Sequence, residues 1–267
     1  MIWITFAVFT ACMIVGMPIV FALGIPGVIY ILLSGVPLTM VPAKMFSGVD
    51  VYVLMAIPLF IIAGNLMNYS GISQRLVRFS IAIVGSLPGG LAMVSIVSCM
   101  FMAGVTGAGS AEVAGIGSIM IPAMKKEGYK DGFAVALITI SSSMGPIIPP
   151  SILFVVYGYI ANVSIASLFL AGVIPGVLIA FSLMLTVYVM ARRHHYPRGG
   201  RFSFSVVARE FRSAFLALLL PVIIVGGMAF GVMTPTEVSG TAVLLAFVVG
   251  RFIYRELKWS DIPRVLL

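Results

Sequence analysis

Apolar residues occupy most of this chain in stretches about as long as a membrane span, with short polar segments between them. A helix needs about 20 residues to cross the hydrocarbon core of a bilayer. The pattern therefore predicts a polytopic membrane protein built from helices. The apolar runs lie at residues 2–22, 25–43, 51–69, 91–124, 132–162, 164–191, 213–231 and 237–254.

Two segments between these runs mix apolar and basic residues. In residues 71–90, Arg75 and Arg78 are three positions apart and so share one face of a helix. This spacing predicts an amphipathic helix on the membrane surface. Residues 192–212 form a basic, partly amphipathic connection.

The runs at 91–124 and 132–162 are each interrupted in the middle. The first contains GVTGAGSAEVAG, which is rich in glycine and hydroxyl residues and includes Glu112. The second contains four serines, Gly145 and three prolines in residues 141–151, and these prolines cannot all lie in a regular helix. Inside a bilayer, non-helical backbone is tolerated only where protein or a water-filled cavity covers it. We therefore predict a re-entrant hairpin at 91–124 and a broken transmembrane helix at 132–162.

The composition supports the membrane assignment and excludes several other classes. Hydrophobic residues make up 61% of the chain and charged residues 9%, against about 25% charged residues in soluble domains. This excludes an ordinary cytosolic enzyme, a disordered chain and a soluble nucleic-acid binder. Cys12 and Cys99 lie in apolar runs and are interpreted as core residues. The N-terminal run is interpreted as a retained helix rather than a cleaved signal.

The basic residues predict an orientation. If 91–124 enters and leaves on one side and 132–162 crosses once, Lys44 is alone on one face and the other 15 of the 16 Lys and Arg share the opposite face. Cytoplasmic loops carry the excess of Lys and Arg. The count favours the re-entrant hairpin, places the N-terminus outside, and assigns the net charge of +8 to cytoplasmic loops rather than to nucleic-acid binding.

The two interruptions are the predicted binding site. Paired broken helices near mid-membrane point to a transporter site, in which unwound carbonyls and hydroxyls replace the water around a cation. The candidate residues are Thr106, Gly107, Gly109, Ser110, Glu112, Ser141, Ser142, Ser143, Gly145, Pro149, Pro150 and Ser151. Three structural alternatives remain open: small-residue packing at the tip, Glu112 as a helix cap, and a simple proline kink.

Other polar positions are assigned structural roles. Thr234, Pro235 and Glu237 have the order of a helix start, with a cap, a first-turn proline and an early acid. Asn65 and Asn68 are predicted to bridge helices. His194 and His195 lie in the basic connection without an acid or cysteine cluster that would suggest a metal site.

An intramembrane enzyme is the alternative from another class. It would need a nucleophile–base pair or apposed aspartates within the membrane. Both histidines lie in the basic connection and no intramembrane Asp pair is present, so we predict that the chain is not an enzyme.

A weak internal echo links FALGIPGVIYILLSGV near residue 21 with FGVMTPTEVSGTAVLLAFVVG near residue 230. Each has Gly, then Pro, then an apolar helix, and the crossing count gives the two copies opposite directions. This is the pattern of an inverted-topology repeat.

Four stretches carry a resemblance to a known family: IPLFIIAGNLMNYSGISQRLV, GSLPGGLAMVSIVSCMFMAGVTGAGSAEVAGIGSIMIPAM, SSSMGPIIPPSILFVVYGYIANVSIASLFLAGVIPG and GVMTPTE. With them the chain resembles the large membrane subunit of tripartite ATP-independent periplasmic (TRAP) transporters, the DctM-like permeases. The most specific part is PIIPPS together with the preceding Gly-Ser-Ala-Glu hairpin.

The resemblance implies an inverted-repeat, elevator-type secondary transporter in the bacterial inner membrane. It implies sodium as the coupling ion, no other cofactor, and import of a small organic acid such as a C4-dicarboxylate or a sialic acid. It also implies two protein partners, a periplasmic substrate-binding protein and a small membrane subunit, besides membrane lipid.

The resemblance also implies a domain organisation. Scaffold helices and the interfacial helix would occupy 1–90, half of a transport domain 91–191, a basic cytoplasmic arm 192–212, and the first two helices of a second repeat 213–267. The chain departs from the family pattern by ending early in that second repeat and by carrying Ala108 where relatives often have a hydroxyl residue. A truncated permease and a non-transporting scaffold or assembly fragment are therefore both kept as interpretations.

Overall fold

A computed structural model describes residues 1–194, 196–197, 199–200 and 202–266. Three positions of the predicted basic arm, His195, Arg198 and Arg201, lie outside the described residues. The helices are α1 (Ile2–Ile14), α2 (Ile19–Leu33), α3 (Met40–Val49), α4 (Ala56–Tyr69), α5 (Ile72–Val84), α6 (Gly90–Thr106), α7 (Gly109–Lys126), α8 (Asp131–Ser141), α9 (Ile152–Ala161), α10 (Ile165–His194), α11 (Phe204–Ala229), α12 (Pro235–Val248) and α13 (Ile262–Leu266).

Helices and short turns account for all regular structure in the described residues. In the part of the chain that the structure describes, four segments are long and apolar enough to cross a membrane, and several shorter apolar helices accompany them. The four are Tyr52–Tyr69, Ile165–His194, Phe204–Ala229 and Pro235–Ile253. The chain is an all-α polytopic membrane protein, as the apolar pattern predicted.

The first 51 residues form one compact unit, Met1–Val51. The predicted boundary between its first two helices is wrong. The chain turns at Gly16, which has a φ of 79° and so ends α1, and α2 begins after Pro18. Pro26 lies inside α2 instead of at a helix start, so the Gly–Pro echo with residue 230 does not mark equivalent helix starts. The predicted polar link around Lys44 is the helix α3.

The second unit, Tyr52–Leu267, contains both interrupted helices. Within it α4 packs along α12, and α5 packs on α6 and α11. The buried face of α5 repeats at helical spacing through Ile72, Leu76, Phe79 and Ser80, which confirms its amphipathic character. This face packs against protein.

The bounds of α10, α11 and α12 differ from those of the predicted apolar runs. Helix α11 begins at Phe204, about one-third of its length before the predicted apolar run, because the amphipathic part of the basic connection continues the same helix. Helix α12 ends at Val248 and continues into a π-helical turn, Val249–Ile253. Helix α10 extends the predicted run to His194, with Pro175 inside it.

Candidate functional site

The predicted hairpin consists of α6 and α7, which lie antiparallel. Ser95 near the start of α6 lies 3.6 Å, measured from its hydroxyl oxygen, from the sulfur of Met124 near the end of α7. The helices meet at a two-residue turn in which Gly107 has a φ of 62° and Ala108 is extended. The left-handed conformation at 107 suits glycine, because it lacks a Cβ.

The predicted broken helix consists of α8 and α9. Helix α8 ends at Ser141, a 3₁₀ turn covers Ser142–Met144, and irregular backbone follows as far as residue 151. We call residues 142–151 the break. Ser151 starts α9 as its N-cap, accepting a hydrogen bond from the Phe154 backbone N–H at 3.2 Å and donating to the Pro146 carbonyl oxygen at 2.5 Å.

The hairpin tip and the break are in direct contact. The backbone N–H of Ile152 donates to the Gly107 carbonyl oxygen at 3.4 Å. A Cβ added to Gly107 would collide with the Pro150 carbonyl oxygen, and one added to Gly109 would lie 2.5 Å from the Ser142 carbonyl oxygen. The absence of a side chain at both tip glycines therefore lets carbonyls of the break approach the tip.

Glu112, in the first turn of α7, points toward this contact. A Cβ added to Gly145 would collide with its carboxylate and would lie 2.9 Å from the Gly109 backbone nitrogen. Glu112 is fully buried, and neither carboxylate oxygen has a hydrogen-bond partner among the described residues. The interpretation of Glu112 as a hydrogen-bonding helix cap is therefore not supported.

A buried carboxylate without a partner is costly, by several kcal/mol for an uncompensated ion. It calls for a cation or a proton. The hydroxyl of Ser141 at the end of α8 is also buried and has no partner among the described residues. Three buried side-chain oxygens of the site, two of Glu112 and one of Ser141, are therefore not engaged by any other described residue.

The remaining predicted hydroxyls are exposed or already engaged. Ser110 is exposed, and Ser143 is exposed and donates to the Ile140 carbonyl oxygen at 2.7 Å. Thr106 donates to the Met102 carbonyl oxygen at 3.2 Å, and the Ser142 hydroxyl lies 3.8 Å from the Cys99 sulfur. Pro149 and Pro150 are buried in the break. The binding role of all these residues stays a prediction.

Four helix ends converge on the contact. Helices α6 and α8 end there with their C-termini, and α7 and α9 begin there with their N-termini. C-terminal ends carry partial negative charge and N-terminal ends partial positive charge. The arrangement thus offers oxygens to a cation and N–H groups to an anion in one place.

Some residues of this region were missed from the sequence. Cys99 was interpreted only as a core residue, and nothing in the sequence indicates that its sulfur faces Ser142. Gly172 and Gly176 of α10 also contact the break. Their spacing of four residues was a readable signal, because it places both on one helix face.

Thr234, Glu237, Asn65 and Asn68 have the structural roles predicted for them. Thr234 and Glu237 form a reciprocal cap at the start of α12, with the Thr234 N–H donating to the Glu237 carboxylate at 2.8 Å. Asn65 donates to the Val265 carbonyl oxygen at 3.3 Å, and Asn68 accepts from the Ser73 hydroxyl at 2.6 Å. His194 lies 3.1 Å from the Met190 carbonyl oxygen, and in the described part of the chain no group of three or more His, Cys, Asp or Glu could hold a metal ion.

Comparison with known proteins gives one family over almost the whole chain. Residues 6–267 match the family described as the tripartite ATP-independent periplasmic transporter, DctM component. The chain is 36% identical to the C4-dicarboxylate TRAP transporter large permease protein DctM of Rhodobacter capsulatus, over 99% of this chain and 63% of that protein.

Of two further relatives, one is named for the same substrate class and the other for sialic acid. A DctM protein of Vibrio cholerae, also named for C4-dicarboxylates, is 40% identical over 92% of this chain and 54% of its own length. The sialic acid TRAP transporter permease protein SiaT of Haemophilus influenzae is 34% identical over 96% of this chain and 42% of its own length. The chain thus spans between about two-fifths and two-thirds of the length of these relatives.

Proposed function

This chain belongs to the DctM component family of tripartite ATP-independent periplasmic transporters, and on that premise we propose that it forms part of a sodium-coupled importer of a small organic acid. The family consists of transporter permease subunits rather than enzymes. The proposal places the coupling cation and the substrate at the contact between the hairpin tip and the break.

The observation that carries the proposal is the unpartnered carboxylate of Glu112 at this contact. Sodium needs several oxygen ligands in place of its water shell. The Ser142 and Pro150 carbonyls lie against the tip glycines, and the Ser141 hydroxyl is buried without a partner in the described residues. A cation at this contact would compensate the buried negative charge.

The substrate class follows from the same geometry. The N-termini of α7 and α9 present partial positive charge, which favours the binding of a carboxylate. C4-dicarboxylates and sialic acid, for which two of the relatives are named, differ in size, but each carries at least one carboxylate. A small organic anion with at least one carboxylate is therefore the proposed substrate class.

The proposed assembly has a small membrane subunit and a periplasmic binding protein that delivers the substrate. The proposed location is the bacterial inner membrane, with the basic segments cytoplasmic and the N-terminus periplasmic. An elevator movement would carry the hairpin and the broken helix together, since the two are already joined through Gly107 and Ile152.

Uptake measurements in proteoliposomes test the proposal. The vesicles would contain the full-length permease with its small subunit, and the substrate-loaded binding protein would be added outside. We expect uptake of a C4-dicarboxylate or sialic acid that requires an inward sodium gradient. Uptake driven only by a proton gradient would overturn sodium coupling, and no uptake with all components present would favour the scaffold interpretation.

Two hydroxyl residues of α8 provide a matched pair for locating the site. Ser141→Ala removes the buried unpartnered hydroxyl, whereas Thr139→Val removes an exposed hydroxyl that donates to the Val135 carbonyl oxygen of the same helix. We expect the first to raise the sodium concentration for half-maximal uptake and the second to leave it unchanged. Equal effects would contradict the placement of the site.

A further inference from the structure

The break is in contact with two other elements. Gly107 and Gly109 of the hairpin tip receive its carbonyls. Helix α10 contacts it through Gly172 and Gly176. These two glycines are buried and four residues apart, so they share one face of α10.

The fit on the α10 side leaves no room for a methyl group. A Cβ added to Gly172 would collide with the Ile147 carbonyl oxygen and would lie 2.5 Å from the Phe154 ring. A Cβ added to Gly176 would collide with the side chain of Ile148. One glycine therefore receives backbone of the break, and the other receives a side chain.

We propose that Gly172 and Gly176 are positioning residues that fix the break against the hairpin tip and thereby set the affinity of the cation site. This inference rests on the proposed function. The break has no continuous helical hydrogen bonding of its own, so its position depends on its neighbours. A methyl group on α10 would displace Ile147 or Ile148, and through the continuous backbone of the break it would shift the carbonyls that face Gly107 and Gly109.

The expected effect is on affinity because metal sites require ligand distances held to within about 0.2 Å. Inside a 30-residue helix such as α10, alanine stabilises the helical backbone more than glycine does. Simple helix packing would also explain two glycines, but it predicts a loss of folded protein rather than a change in cation affinity.

The test measures uptake by the full-length permease with its small subunit and binding protein at a series of sodium concentrations. We expect Gly176→Ala and Gly172→Ala each to raise the sodium concentration for half-maximal uptake about tenfold. This factor lies within the range found for mutations that change the coupling free energy between two sites. Uptake at saturating sodium should be retained. The matched control is Gly240→Ala, because Gly240 lies inside α12 with no neighbouring atom within 4 Å of an added Cβ.

Second-site variants separate positioning from general destabilisation. Ile148→Ala removes the atoms that a methyl at 176 would strike, so it should restore sodium affinity to Gly176→Ala. Ile147→Ala should not rescue Gly172→Ala, because there the obstacle is a backbone carbonyl oxygen. Rescue of both, or of neither, would overturn the inference.

Two further results complete the test. If Gly176→Ala does not fold, the single variant Ile148→Ala is measured instead. It removes the side chain that packs against Gly176, and we expect it to raise the sodium concentration for half-maximal uptake about threefold. An unchanged sodium concentration would overturn the inference. The sodium-dependent rise in the melting temperature of the wild-type permease is measured in parallel. A wild type that lacks sodium dependence in both assays refutes the proposed function itself, whereas a sodium-dependent wild type with unaltered glycine variants refutes only the positioning role.

Discussion

Gly145 in the break lies directly against the carboxylate of Glu112 in α7, so that a Cβ at residue 145 would be 3.0 Å from the carboxyl carbon. The two residues are 33 positions apart and belong to different interrupted helices. Their contact places the buried acid of the hairpin beside the irregular backbone of the break. The predictions for the site begin from this relationship.

Glu112→Gln should weaken sodium dependence. The amide keeps the shape of the side chain but removes the negative charge that a cation would neutralise. We expect the half-maximal sodium concentration for uptake to rise at least about tenfold, since a hydrogen-bonded or paired buried charge contributes more than 1.4 kcal/mol. Glu127→Gln, an exposed position just after the same helix, is the control. An unaltered sodium response of Glu112→Gln would exclude this carboxylate as a cation ligand.

Gly107→Ala should abolish sodium-dependent uptake. It combines a left-handed backbone with a collision against the Pro150 carbonyl oxygen. Gly128→Ala is a matched control, because Gly128 also has a positive φ, of 86°, but no atom lies within 4 Å of an added Cβ. The backbone strain in Gly128→Ala should lower the free energy of unfolding by only about 1–2 kcal/mol. We expect this as a small decrease in melting temperature. Similar behaviour of the two variants would mean that the tip contact is unimportant.

Arg75 anchors α5 to the segment that follows α12 and its π-helical turn. Its guanidinium lies 2.7 Å from the Glu256 carboxylate and 3.8 Å from the centre of the Tyr254 ring. Because Glu256 is 43% exposed, a double-mutant cycle with Arg75→Ala and Glu256→Gln should give a coupling energy of about 1 kcal/mol or less.

Arg75→Ala alone should cost more than this coupling energy, because it also removes the contact with the ring. Thermal unfolding of the purified permease measures both quantities. Arg78→Ala, at an exposed position on the same helix, should change stability by no more than about 0.5 kcal/mol. A destabilisation by Arg78→Ala equal to that of Arg75→Ala would contradict the anchoring role.

Tyr129 should make stability depend on alkaline pH. It lies in the loop between α7 and α8 and stacks on Tyr196, with ring centres 4.5 Å apart. Burial, with a smaller effect of the neighbouring Glu127 charge, raises the pKa of Tyr129 from 10 to about 12. The folded protein therefore keeps this proton to higher pH than the unfolded chain, and the associated stability is present below pH 10 and is lost as the pH rises toward 12.

Tyr129→Phe keeps the ring and removes the ionisation. Between pH 10 and 12 the wild type should lose up to about 2 kcal/mol more stability than this variant. Thermal unfolding at a series of pH values measures the difference, and Tyr157→Phe at an exposed position controls for other tyrosines. Parallel pH profiles of wild type and Tyr129→Phe would refute the prediction.

The two interruptions were predictable because unusual residues are clustered in them. The three prolines at 146, 149 and 150 cannot all lie in a regular helix, and the glycine-rich run around residue 107 has more backbone freedom than a straight helix needs. The hairpin and the broken helix were therefore located to within a few residues. The boundary between α1 and α2 was not, because Pro26 fits within a helix when its neighbours allow it, and Gly16 was the actual turn.

The amino-acid sequence by itself determined the membrane class, the helical architecture and the positions of the hairpin turn and the break, because apolar length, glycine and proline act locally. Only the tertiary structure decided which polar atoms are free. It engages Thr106 and Ser151 in local hydrogen bonds, leaves Ser143 exposed, and buries Glu112 and Ser141 without partners among the described residues. It also places Gly172 and Gly176 against the break. The physical reason is that burial and satisfied hydrogen bonds depend on residues distant in the chain, and no local pattern records which of them will meet.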